Sequence, residues 1–122
     1  MIDAELKRLI EENALALSTL DGDGKVHTIA VGFAKVINER QLVITDNYMS
    51  KTVHNINRDN QVTIAVWNRD WKRKCTGYEL RGFAEYFTEG VWYNFVKELK
   101  ENRGEPCKAA ILVTVKEKKK LA

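Results

Sequence analysis

Ala14-Leu15-Ala16-Leu17-Ser18-Thr19-Leu20-Asp21-Gly22-Asp23-Gly24-Lys25 is the stretch that decides the fold class. Ala14 to Leu20 reads as a buried strand, and Asp21-Gly22-Asp23-Gly24 reads as a hairpin turn, because glycine supplies the positive φ such turns demand. The return strand runs from Lys25 to about Ile37. Gly32 within it marks a bend, a bulge or the close approach of another backbone. Asn38-Glu39-Arg40 then turns the chain into a third strand, Gln41 to Thr45. Parallel neighbours need a crossover of a dozen residues or more, so connections this short disfavour a doubly wound α/β sheet and point to antiparallel pairing.

Working outward, an amphipathic helix starts at Asp3. Ile2, Leu6, Leu9 and Ile10 share its apolar face, and Asn13 ends it. After the third strand comes a short helix with Ser50 as N-cap and Val53 and Ile56 turned inward, closing at Asn57 to Asn60. Gln61 to Trp67 is a fourth strand with β-branched alternation. Asn68 to Thr76 is a polar loop around Trp71. Gly77 to Thr88 is a fifth strand with aromatics on both faces, so both are expected to be covered over part of its length. Val91 to Glu101 carries the helical stripe Val91, Trp92, Phe95, Val96 and Leu99. Arg103 to Pro106 is a loop, Ala109 to Val115 a last strand, and residues 116–122 a lysine-rich tail. Six strands with few crossover helices predict a mainly β domain, a mostly antiparallel sheet closed into a small barrel of Greek-key type. Short helices lie at the N-terminus, after the third strand and before the last.

A length of 122 residues suits one domain, 1–122, and a composition 44% hydrophobic and 30% charged is that of a folded chain. No run of about 20 apolar residues offers a membrane span, and no signal peptide is read, so a cytoplasmic location is expected by default. The net charge of +3 is concentrated in Lys72-Arg73-Lys74 and Lys116 to Lys120. Solvated loop and tail explain both clusters more simply than nucleic-acid binding does. Cys75 and Cys107 form no C-x-x-C pair, and His27 and His54 lie far apart, so no metal site is predicted. The chain has no G-x-S-x-G, no H-E-x-x-H and no phosphate-loop or dinucleotide fingerprint. No catalytic side chains are therefore assigned, and hydrolysis is not expected.

What remains is Asn47-Tyr48-Met49-Ser50-Lys51-Thr52, where the third strand gives way to the short helix. First-turn backbone N–H groups, the hydroxyls of Ser50 and Thr52 and the Lys51 ammonium make a candidate phosphate socket. Taken alone, the Lys51-Thr52 dipeptide reads more simply as an ordinary capped helix with an exposed lysine than as a phosphate site. A phosphate-bearing cofactor would supply chemistry that the side chains lack.

The run Met49 to Val62, with Lys51, Thr52, Asn55, Arg58 and Asp59, followed by Arg81-Gly82-Phe83-Ala84, resembles the pyridoxamine-phosphate-oxidase-like family of FMN-binding split barrels. It is most similar to that family's small bacterial FMN-binding proteins. Ala16 to His27 is similar to the family's first hairpin, and the likeness spans about Asn13 to Val115. It implies a six-stranded antiparallel split β-barrel and a homodimer with FMN at the subunit interface. The cofactor's phosphate would lie at Ser50, Lys51 and Thr52. Thr28, Ile29 and Ala30 would line the isoalloxazine, and Thr45, Asp46, Asn47, Tyr48 and Met49 would border the ribityl chain and ring. The implied function is a redox-active flavoprotein, in electron transfer or as a small flavin reductase, with donor and acceptor unidentified. The alternative is an FMN store or carrier without turnover. The chain lacks the additional arginines and C-terminal segment that hold substrate phosphate in true pyridoxamine phosphate oxidases, so vitamin oxidation is not expected. His27 and His54 leave a haem-type tetrapyrrole as a further alternative.

Overall fold

Asp3 stands in extended backbone and its carboxylate accepts the Leu6 N–H at 2.9 Å, opening α1 (Ala4–Glu12) in a computed structural model that describes residues 1–122. The cap satisfies one of the donors that a helix start leaves without a partner. Leu6, Leu9 and Ile10 fall on one buried face, as their spacing dictates. Seven strands follow: β1 (Leu15–Leu20), β2 (Val26–Val31), β3 (Ala34–Val36), β4 (Gln41–Asp46), β5 (Gln61–Trp67), β6 (Gly77–Phe87) and β7 (Ala109–Lys120). Between β4 and β5 lies α2 (Lys51–Arg58). Between β6 and β7 lie α3 (Val91–Lys97) and a single 3-10 turn at Lys100–Asn102. No helix is long and apolar enough to cross a membrane.

All pairings are antiparallel, and the strand order is β2-β1-β5-β6-β7-β4-β3. The two edge strands, β2 and β3, are consecutive in the chain and only Gly32-Phe33 separates them. Three virtual bonds of about 3.8 Å hold Val31 and Ala34 within about 11 Å of each other. In a flat seven-stranded sheet, six steps of about 4.8 Å would set the edges about 29 Å apart. The sheet therefore curls until its edges meet, and because β2 and β3 do not pair, the result is a split barrel. The expected mainly β antiparallel split barrel is what forms, with seven strands in place of six. The long second strand breaks at Gly32-Phe33 because its first half pairs with β1 and its second half with β4.

The barrel is filled by inward residues such as Leu15, Leu17, Ile64, Leu80, Ile111 and Val113, and α1 adds Leu6 and Ile10. Glu11 of α1 accepts the Val36 N–H at 2.8 Å, which satisfies a donor on the unpaired side of edge strand β3. A smaller cluster of Val43, Val96 and Ala110 seats α3 on the outside of β4 and β7, with Phe87, Trp92, Phe95 and Leu99 around it. β6 is thus covered on both faces near its Phe87 end.

The lysine-rich segment is strand and not a solvated tail as far as Lys120. Lys116 to Lys120 continue β7, pairing through Lys118↔Leu80 and Lys120↔Tyr78. Pairing is a property of the backbone, and the backbone of β6 from Tyr78 to Arg81 has β7 as its partner on that side. The Lys118 and Lys120 ammoniums lie 5.8 and 6.0 Å from the Tyr78 ring centroid, where cation–π attraction offsets part of their crowding.

The register of β6 against β7 shifts between Arg81 and Gly82. At this bulge the backbones approach so closely that a Cβ on Gly82 would lie 1.9 Å from the Thr114 carbonyl oxygen. Gly82→Ala is expected to lower unfolding stability by roughly 1–3 kcal/mol, the usual cost of overpacking. Gly32, whose Cβ position is open, serves as control in urea denaturation. Equal midpoints for Gly82→Ala and Gly32→Ala would show that the bulge is not packed this way.

Candidate functional site

The crossing from β2 to β3 leaves a cavity of 630 Å³ beside it. One wall is Ile29 to Phe33. A second is Thr45, Asn47, Tyr48 and Met49, at the end of β4 and in the turn beyond. The third comes from the segment after α3, with Leu99, Glu101, Asn102, Arg103 and Glu105. The volume is that of a small-molecule site, for which about 300–1,000 Å³ is usual.

Asp46 holds the second wall in place. It is fully buried, and a buried carboxylate must be satisfied. It accepts the Met49 N–H at 2.8 Å and the Tyr86 hydroxyl, and the Lys108 ammonium lies 3.9 Å away. Its own carbonyl accepts the Lys108 N–H at 2.8 Å. Burial pushes the Tyr86 phenol far above its ordinary value, and the Asp46 carboxylate adds to the shift. Asn47 fastens the third wall to the second, donating to the Asn102 amide oxygen at 2.7 Å and to the Pro106 carbonyl at 2.8 Å. The Tyr48 hydroxyl donates to Glu105. That bond raises the phenol's pKa above its ordinary range.

Beyond Met49, α2 begins without a side-chain cap. Ser50 has φ −132° and ψ −70° and makes no capping hydrogen bond, and the first helical bond runs from the His54 N–H to the Ser50 carbonyl at 3.2 Å. The N–H groups of Lys51, Thr52 and Val53 consequently have no acceptor within the helix. The Lys51 ammonium lies 3.2 Å from the Asp21 carboxylate. Asp21 also accepts from the buried Asn55 amide at 2.9 Å, and the same amide donates to the Thr19 hydroxyl at 3.0 Å. Arg58 donates to the Leu20 carbonyl. Asn55 and Arg58 therefore lash α2 to the β1–β2 hairpin. The Asn55 bond, and then the Lys51 ammonium, hold the Asp21 carboxyl below the usual carboxylate range.

Of the residues singled out in the sequence, Ile29, Ala30, Thr45, Asn47, Tyr48 and Met49 line the cavity. Ser50 and Lys51 follow directly from Met49 and are exposed. Thr52 is buried at 1% exposure and its hydroxyl does not line the cavity, and Asp46 is a buried support. Thr28 lies on the outer face of β2, where its hydroxyl meets that of Ser18 at 2.8 Å. Neither histidine lines the cavity. Trp67 and Trp71 also stand away from it, exposed at the β5–β6 end. Val31, Phe33 and the Leu99–Glu105 wall escape sequence reading. Gly32 is the one lining residue among the rest with a local signal.

The structure is thus a split antiparallel barrel with a cavity of ligand size at its seam and an uncapped helix start beside it. The family model described as pyridoxamine 5'-phosphate oxidase matches residues 2–121, and the chain belongs to that family. Its structure is similar to that of HupZ from Group A Streptococcus, with 26% identity, a TM-score of 0.89 and coverage of 99% of this chain and 94% of that one. It also superposes on an FMN-binding protein from Syntrophomonas wolfei with a TM-score of 0.83, over 95% of this chain and 83% of that one. The 17% identity makes this a likeness of fold alone. An uncharacterized Methanocaldococcus jannaschii protein, MJ0282, is 28% identical over 97 residues, which are 78% of this chain and 62% of that relative's length.

The Tyr86–Asp46 pair sets an alkaline limit. A phenol whose native pKa exceeds its unfolded value of about 10 contributes stability that is fully present below that value and is lost as pH rises through the native pKa. In ultraviolet titration, one tyrosine is expected to ionise after the others, and Tyr86→Phe should remove this latest component. A late component that survives in Tyr86→Phe would contradict the assignment.

Proposed function

We propose that the cavity and the first turn of α2 together hold FMN, and that the protein is a redox-active flavoprotein in electron transfer or flavin reduction. The observation that carries this reading is an uncapped helix start, with a hydroxyl and an ammonium, directly following a 630 Å³ cavity wall in a chain of this family. The donor set suits a phosphate dianion. A helix N-terminus contributes about 0.3–1 kcal/mol to an adjacent anion, and hydrogen bonds to a charged group about 1.5–3 kcal/mol each. Ser50 offers its hydroxyl, Lys51 its ammonium, and Thr52 its backbone N–H in place of the buried hydroxyl. Ile29, Ala30 and Met49 give the ring an apolar bed, while Thr45, Asn47 and Tyr48 border it. Bound FMN supplies the redox chemistry that no side chain here provides.

The same reading includes a homodimer. The outer face of β2, β1 and β5 carries two adjacent uncharged rows, Ala30–Ala16–Ala65 and Thr28–Ser18–Thr63. A flat row of small residues lets a second sheet approach closely. Because β2 also supplies Ile29 and Ala30 to the cavity, a partner on this face reaches the cofactor's edge. Sedimentation of the holoprotein should give a dimer, and Ala16→Arg a monomer; a monomeric wild type removes this part of the reading.

Purified protein is expected to be yellow or to take up FMN, and Lys51→Ala to bind it about tenfold more weakly with the fold intact, as the loss of one charge-assisted contact requires. Unchanged affinity would place the phosphate elsewhere. Steady-state oxidation of NADH or NADPH separates a reductase from an FMN store, which would show no turnover with either donor.

A further inference from the structure

We propose that Asp21 is an internal counter-anion that holds the Lys51 ammonium until a ligand phosphate displaces it, and that it thereby sets how strongly this site prefers a phosphorylated flavin to an unphosphorylated one. The inference rests on the FMN reading above and extends it to a residue outside the phosphate socket. Of the two partners, the carboxylate is the fixed one. Its residue is locked in the hairpin turn, where the Asp21 N–H donates to the Lys25 carbonyl at 2.8 Å and the Asp21 carbonyl accepts the Gly24 N–H at 3.0 Å. The Asn55 amide, 4% exposed, pins one carboxylate oxygen at 2.9 Å. The Asp21 side chain is 13% exposed and that of Lys51 is 59% exposed. Lysine, on its flexible stem, is the partner free to move.

When Lys51 turns to a phosphate, Asp21 keeps its bond from Asn55 and is not left without a partner. The exchange still has a cost, because the ion pair breaks and a dianion comes to rest near a carboxylate. Replacing Asp21 by asparagine keeps the shape and removes the charge. Both consequences then favour the phosphate, and neither touches the isoalloxazine end of the cavity.

The test compares FMN and riboflavin affinities, by quenching of flavin fluorescence, in the wild type, Asp21→Asn, Lys51→Ala and the double variant. Asp21→Asn is expected to tighten FMN binding roughly two- to fivefold, the scale of a partly exposed ion pair, and to leave riboflavin affinity unchanged. In the Lys51→Ala background the gain should shrink to the part due to like-charge repulsion. A second reading uses the unmodified chain. The carbon resonance of the Asp21 carboxyl, followed against pH, should titrate at higher pH with FMN bound than without it, because the ammonium has left. FMN bound equally by the wild type and Asp21→Asn, or an Asp21 titration that FMN does not move, overturns this inference and leaves the FMN reading standing. A wild type that binds neither flavin overturns both.

Discussion

Val31 and Ala34 belong to strands at opposite edges of one sheet, yet only Gly32 and Phe33 lie between them. That covalent tether is the constraint on which the rest of the structure depends. It forces the sheet to curl and brings the end of β2 beside the end of β4. It also leaves the seam unpaired, because the chain spends its two free residues on crossing and not on a ladder. The cavity is the direct consequence, lined on one side by the crossing and on the other by the turn after β4. A closed and fully hydrogen-bonded barrel would have no such opening.

Curling alone does not fix the site. Two buried polar side chains do that, Asp46 at the end of β4 and Asn55 within α2. Asp46 ends β4 and gathers Met49, Tyr86 and Lys108 around one carboxylate. Asn55 stands in α2 and binds the β1–β2 hairpin through Thr19 and Asp21. Neither leaves a buried polar atom without a partner. Satisfied buried groups of this kind specify one geometry, since any shift would expose their desolvation cost. They hold the start of α2 in a fixed place relative to the cavity wall, as a preorganised binding site requires.

The legible parts of the fold are those written in local pattern. The alternation of Leu15, Leu17 and Thr19, and of Val62, Ile64 and Val66, marks strands without knowledge of their partners. The Asp-Gly turn fixes the first hairpin, and the Asp3 cap fixes the first helix. Partner choice is where local reading stops. Gly32 announces a bend, but nothing local says that the strand changes sheet edge there. Lys116 to Lys120 read as solvated because their side chains are charged, while their backbone completes β6. For the site, the resemblance names Ile29, Ala30, Thr45, Asn47, Tyr48 and Met49, which line the cavity, together with Asp46, which lies buried behind it. Asn102 and Glu105 are not legible, because their contacts with Asn47 and Tyr48 bridge more than fifty residues. Thr52 shows how a polar residue type misleads: its place on the inner face of α2 buries a hydroxyl that the pattern Ser-Lys-Thr offers to a ligand.

The most direct measurement is a crystal structure of the protein grown with FMN. The account predicts the isoalloxazine against Ile29 and Ala30 beside the Gly32-Phe33 crossing, and the phosphate within hydrogen-bond distance of Ser50 and the first-turn N–H groups of α2. It also predicts the Lys51 ammonium turned from Asp21 to the phosphate. Cofactor bound at any other surface, or a seam cavity filled by the protein's own side chains under saturating FMN, would contradict it.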